Sequence, residues 1–403
     1  MLRDKGRGCN MEKYRKYVIF CFSFLVCVSF YTPVFASFFQ AVHKLTNSQI
    51  TTLFACASLA TFLFEIPTGM FGDRVGERVS LIIGSGLTAV STLLFIVGST
   101  PLLYIGEIIF GISSTFFSGP FDAMLYHYCE RFENKEDYSK IVSRSYSLQW
   151  LALCVSFMGC SLLSASGNLK VPFYATLAVN VLLVISALFL PRIEKQRNKK
   201  PDIILRSAVR DIAQNGELRN NCLLNASFTM LLVCGYQLLQ PYLADSGMKA
   251  SYNGWMYCAA ALLASCGSFF FEKLQRLSGS KRTTLLVCIL LISGCFFGLA
   301  NVSRVALIFL LVCCYRLVWG VTSPMFSYMV NNSISADEYR DTIFSVISLI
   351  SNLLSSAFLF LLGFADLSSK ANYWLLGTVA LLFAVMILSG RNNEKTQKIR
   401  YDV

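Results

Sequence analysis

Two ionisable residues stand among apolar letters. Glu107 lies in "YIGEIIFGISS" and Arg316 in "CCYRLVWGVTS", each flanked by uncharged runs. An acid or base at membrane depth is costly unless it faces a partner or water, so such residues mark substrate or ion pathways. A carboxyl there can take up and release a proton, and a guanidinium can hold an anion. Placed on separate spans, the two could pair, and protonation of Glu107 or a charged substrate could break that pair. A second group, Glu65, Asp73, Arg74, Glu77 and Arg78, is packed with glycine into "FEIPTGMFGDRVGERVSL" at 64–81. Other chemistry has little support. There is no nucleotide-binding Gly-rich loop and no catalytic Ser or Cys arrangement. The only histidines are His43 and His127, and no Cys pair has metal-ligand spacing. Neither an enzyme nor a metal or organic cofactor is expected.

These residues sit in a chain of 403 residues that is 55% apolar and only 14% charged. A soluble protein would carry about a quarter charged residues. Apolar runs long enough to cross a bilayer recur, at 16–39, 48–72, 79–98, 101–124, 142–166, 171–190, 221–243, 251–272, 283–300, 304–330, 342–364 and 371–389. Twelve spans put both termini on one side. Lys and Arg crowd one set of connections, including eight between Arg192 and Arg219, while the other set holds only Lys44, Lys170, Lys249, Lys370 and the edge residue Arg304. The positive-inside bias makes both termini cytoplasmic. The net charge of +12 is then a topology signal, and no nucleic-acid partner is expected. The first span follows a basic segment like a secretory signal, but it is too long for an h-region and reads as an uncleaved helix. Nearly all of the 15 cysteines fall inside spans and none in an outer connection, so they read as small apolar packers without disulfides.

The segment 191–220 is highly charged and divides six spans from six, with a short surface helix expected over 202–213. The domain reading is a cytoplasmic tail at 1–15, a six-helix bundle at 16–190, the central loop at 191–220, a second bundle at 221–389 and a tail at 390–403. The halves match in order. Pro33 pairs with Pro241, "TFLFE" (61–65) with "SFFFE" (268–272), and "GEIIFGISS" (106–114) with "YRLVWGVTS" (315–323), at offsets of 207–209; "DYSKIVSRSYSL" (137–148) resembles "EYRDTIFSVISL" (338–349). A duplicated six-helix unit is the pattern of secondary transporters with a midplane site between two similar bundles. It also makes Glu107 and Arg316 equivalent positions.

"GMFGDRVGER" (69–78) resembles the loop 2–3 signature of the major facilitator superfamily, matching at Gly69, Asp73, Arg74, Gly76 and Arg78; Glu77 stands where the family usually has a basic residue. "FEIPTG", "SGPFDAMLY" (118–126) and "RDTIFSV" (340–346) are similar to an exporter-rich bacterial branch. The resemblance implies an all-α fold of twelve transmembrane helices in two pseudo-symmetric bundles, with spans 1, 4, 7 and 10 lining a central cavity. It implies an inner gate, in which Asp73 faces the start of span 11 near Asp341–Thr342, where exposed amides favour an anion. Arg74 and Arg78 brace that contact, Gly69 allows close helix approach, and Glu65 and Asp122 join the network. Glu77 could weaken the basic cluster or pair with Arg78. The second half keeps Gly279, Lys281 and Arg282 but has Ser280 in place of the aspartate.

Cavity-lining candidates are Tyr31, Tyr236, Gln237 and Gln240, because polar groups avoid lipid, and Pro241 is able to kink its helix. The function expected is alternating-access secondary transport across the inner membrane by a monomer in lipid, with proton-coupled efflux of a drug, small molecule or peptide antibiotic. Span 5 lacks the Gly-Pro pair usual in drug–proton antiporters. The alternatives are uptake of a sugar, nucleoside or organic anion, with Arg316 as an anion contact, or a non-transporting sensor.

Overall fold

The computed structural model describes residues 2–132, 138–192, 201–269, 281–335 and 340–401, and these form helices joined by short turns. The helices are α1 (Leu2–Leu25), α2 (Phe35–His43), α3 (Asn47–Val75), α4 (Glu77–Val97), α5 (Thr100–Thr115), α6 (Pro120–Phe132), α7 (Tyr138–Ser164) and α8 (Lys170–Leu188). They continue as α9 (Pro201–Gln214), α10 (Gly216–Asp245), α11 (Ala250–Phe269), α12 (Lys281–Asn301), α13 (Val305–Ser333), α14 (Arg340–Ala365) and α15 (Ser369–Tyr401). Ten segments of the described residues are long and apolar enough to cross a membrane. The other two expected spans fall on α1–α2 and on α11. The chain is a multi-pass membrane protein built on the expected twelve-span plan.

Two spans are broken where single helices were expected. The first runs as α1, a 3-10 turn at Thr32–Val34 and α2, because Pro33 has no amide to donate and starts a new turn. The fourth breaks between α5 and α6 at Gly119, whose φ is +37°, followed by Pro120. Pro241, the repeat partner of Pro33, sits instead inside an unbroken α10. The helix expected in the central loop is α9. Its Ala208 and Ile212 pack with Cys222, Ile343 and Ile347 of α10 and α14, and Asp211 accepts a hydrogen bond from Ser335 at 2.8 Å.

Within the first bundle α3 packs on α5, α4 on α5 and α8, and α1 on α7 and α8; within the second, α11 packs on α13, α12 on α15, and α10 on α14. The duplication is visible atom by atom. Thr61 Oγ1 donates to Gly111 O at 3.2 Å, and its counterpart Ser268 Oγ donates to Gly320 O at 2.7 Å. A Cβ on Gly111 would strike the carbonyl of Ala57, and one on Gly320 that of Ala264. The offsets are those of the sequence repeat, so α3–α5 and α11–α13 are one helix crossing built twice. Both crossings need glycine for contact between backbones.

Candidate functional site

The bundles meet along α3–α14, α7–α11 and α2–α10. One end of this seam is fastened by Asp245, the last residue of α10. Its carboxylate accepts from Asn47 Nδ2 at 2.5 Å, from Ser369 Oγ at 2.6 Å and from Gln40 Nε2 at 3.5 Å. Asn47 is held at the start of α3 by a capping box between Thr46 and Gln49. Beside it Ser48 donates to the Gly363 carbonyl. Further along, Ser356 donates to Ala55 O at 3.1 Å and Asn253 to Pro33 O at 3.1 Å. Gly254 of α11 lies so close to α7 that a Cβ would meet the Phe157 carbonyl. Cys258, one turn on, then faces Cys154 across the same antiparallel crossing.

Towards the opposite end, near Gly76, one face of α3 is exposed among the described residues. Leu63, Phe64 and Ile66 are exposed, and a Cβ on Gly69 would meet nothing within 4 Å. The close approach expected at Gly69 is therefore not made in this conformation. Gly76 turns the chain from α3 to α4 at φ +103°, which side chains rarely tolerate. Four bonds of the expected gate group lie inside the first bundle. Glu65 accepts from Ser118 at 2.9 Å and Asp122 from Tyr146 at 3.0 Å. Arg78 donates to the Leu188 carbonyl. Glu77, almost fully buried, meets His127 Nδ1 at 3.1 Å, which answers why an acid stands there: it ties α4 to α6. Arg74 is exposed, and Asp73 occupies the closing turn of α3. The side chains of Asp73 and Asp341, and the segment holding Glu272, Gly279 and Ser280, lie outside the described residues.

Tyr31 sits in an aromatic cluster of the first bundle. It is buried and stacks on Phe173 with ring centroids 4.7 Å apart, in a cluster with Phe35 and Phe95. The turn at Pro33 itself touches α11 of the second bundle as well as α7 of the first. Glu107 is nearby and only 3% exposed. Neither a hydrogen bond nor an ion pair ties its carboxyl to a described residue.

Arg316 is the centre of the other cluster. Its guanidinium lies 4.9 Å from the centroid of Tyr236 and 4.4 Å from that of Trp319, a double cation–π contact. Tyr236 meets Tyr257 edge-on at 5.4 Å, and Tyr257 meets Phe157 of the first bundle at 5.7 Å. Tyr236, Gln237 and Gln240 share one face of α10. The buried Oε1 atoms of both glutamines and the Tyr257 hydroxyl lack a hydrogen-bond partner and so keep open hydrogen-bonding capacity. Glu107 and Arg316 form no ion pair here; each stays within its own bundle. The sequence pointed to Arg316, Tyr236, Gln237 and Gln240. It did not point to Tyr257 or Trp319, though an aromatic residue three positions after a span-embedded arginine was a usable signal.

The sequence profile described as Major Facilitator Superfamily matches residues 18–360. An uncharacterized MFS-type transporter of Methanocaldococcus jannaschii is 25% identical over 258 residues, a match spanning 63% of this chain and 66% of that relative, just under two thirds of its length. Among solved structures, a mutant of the nucleoside transporter NupG aligns with a TM-score of 0.78 at 12% identity, covering 94% of this chain and 99% of that one. A bacterial homologue of the human lysosomal transporter Spinster, inward-facing and unoccupied, aligns at 0.65 and 17% identity, covering 93% and 95%. The D-xylose–proton symporter aligns at 0.63 and 14% identity, covering 94% and 96%. At these identities the likeness is one of fold. With the profile spanning most of its length, a duplicated helical unit and a seam fastened at one end, this chain belongs to the major facilitator superfamily.

Proposed function

We propose that the chain is a proton-coupled secondary transporter that exports a small organic solute across the inner membrane by alternating access. The observation that carries this reading is the one-ended seam. Cross-bundle bonds gather around Asp245, while the four bonds described above for Glu65, Glu77, Arg78 and Asp122 lie within the first bundle. With the basic connections on the cytoplasmic side, the Asp245 end faces outward and the structure is an inward-facing state. The gate of Asp73, Arg74 and Arg78 then belongs to the opposite state, in which the Asp245 contacts break. Two rigid bundles with contacts that cannot all exist at once are the requirement for rocking around a central site.

Glu107 supplies the proton step. A carboxylate without a counter-ion in apolar surroundings is costly, so a proton on this side chain offsets that cost, and its release requires a change of surroundings. Outward transport rests on the branch resemblance of "FEIPTG", "SGPFDAMLY" and "RDTIFSV". A second reading, uptake of a nucleoside or sugar, is supported by the fold shared with NupG and the D-xylose–proton symporter.

Proteoliposomes with an imposed pH gradient test the proposal. An exporter dissipates the gradient when its solute is added on the cytoplasmic-facing side and accumulates the solute against protons. A symporter moves both in the same direction, and a sensor gives no flux.

A further inference from the structure

We infer that the solute is an organic anion, and that Arg316 in its aromatic cage is the charge partner that holds it. This rests on the transport reading above and adds the chemical class of the substrate. Arg316 is a full charge at the middle of a spanning helix, and no carboxylate of a described residue pairs with it. Tyr236 and Trp319 cover its faces, which steadies the planar group and leaves its N–H edge as the part that can bind. Planar N–H edges match carboxylate, sulfonate or phosphate oxygens in a bidentate manner.

The surroundings agree with that assignment. Gln237 Oε1, Gln240 Oε1 and the Tyr257 hydroxyl are buried and unpartnered, and Tyr257 packs edge-on against Tyr236, which itself covers Arg316. Gln240 is 7% exposed and Tyr257 3%, so their open hydrogen-bonding capacity is not explained by bulk water. An anion bearing N–H or O–H groups and an apolar body would fill each position: its charge at Arg316, its donors at the amide oxygens, its body against Phe157 and the tyrosines. The acid at the equivalent repeat position, Glu107, lies in the other bundle without touching Arg316, so the cationic site is left for the substrate in this state. A neutral solute would leave the guanidinium uncompensated, and a cation would be repelled.

Matched probes of fixed charge test the class without knowledge of the natural solute. Binding to the purified full chain in detergent is read by thermal shift and tryptophan fluorescence. The probes are p-toluenesulfonate, p-toluenesulfonamide and benzyltrimethylammonium, and N-acetyltyrosinate, N-acetyltyrosinamide and tyramine. The anion of each series should bind most tightly, and Arg316→Gln should weaken it about ten- to hundredfold, the loss of one charge-assisted contact. Arg316→Lys keeps the charge and should retain part of the binding, which guards against a folding defect in the glutamine variant. Equal or tighter binding of the amides or cations, anion binding that survives Arg316→Gln, or binding of neither anion would overturn the inference. Flux is scored separately. Anion-selective binding without flux overturns the transport reading alone, and flux of neutral solutes with no anion preference overturns only the substrate class.

Discussion

Asp245 of the second bundle and Asn47 of the first are joined by a hydrogen bond of 2.5 Å, although 198 positions separate them in sequence. Gln40 of the first bundle reaches the same carboxylate, and Asn47 also donates to Ser369 of the second bundle, so loss of this acid would release two cross-bundle contacts together.

Asp245→Ala should therefore shift the conformational equilibrium towards opening at this end. Loss of the two cross-bundle hydrogen bonds, of about 1 kcal/mol each, amounts to roughly a ten- to thirtyfold change in population. Maleimide labelling of a cysteine placed at Ser48 would read it, and unchanged labelling would show that the clasp does not hold the end shut.

Two glycines separate the seam from the bundle interior. Gly320→Val would drive a side chain into the Ala264 carbonyl inside the second bundle, so it should lower the melting temperature, at a cost of about 1–3 kcal/mol or more. Gly254→Val strikes the Phe157 carbonyl across the seam. The bundles can part to relieve that clash, so this variant should stay folded yet lose the state closed at the Asp245 end and, with it, transport.

Cys154 and Cys258 offer a trap for that state. Mild oxidation with copper phenanthroline should cross-link the bundles in the wild type and arrest transport, with recovery on reduction. The Cys154→Ser and Cys258→Ser variants should each be insensitive, as judged by a thiol-accessibility assay and by flux.

Glu107→Gln keeps the shape of the side chain and removes its titration. Transport should fall, and its dependence on pH should flatten. Wild-type transport with a normal pH profile in this variant would remove Glu107 from the coupling step.

The repeat was legible because it is written in local letters. Thr61 and Ser268, Gly111 and Gly320 keep their spacing, and the crossing each pair makes follows from that spacing. The span-embedded Arg316 was legible because charge in an apolar run has few explanations. Asp245 was not, since an acid at a helix end beside a loop is ordinary until the other bundle's Asn47 is placed against it. The stacking of Tyr31 on Phe173 was equally hidden, since 142 positions separate the two rings in sequence. Glu77 looked like a flaw in a basic cluster, and only the position of His127, fifty residues on, shows its use.

Helix α9 is fastened to the second bundle through Ala208, Ile212 and Asp211, so it travels with that bundle. The covalent leash between the two moving bodies is then the twelve residues 189–200 between α8 and α9, which reach at most roughly 40 Å when extended. A covalent connection raises the effective concentration of each half for the other. Reassociation is always intramolecular, and a few hydrogen bonds around one carboxylate are enough to decide which end meets. A gate so inexpensive to break can be rebuilt in every cycle.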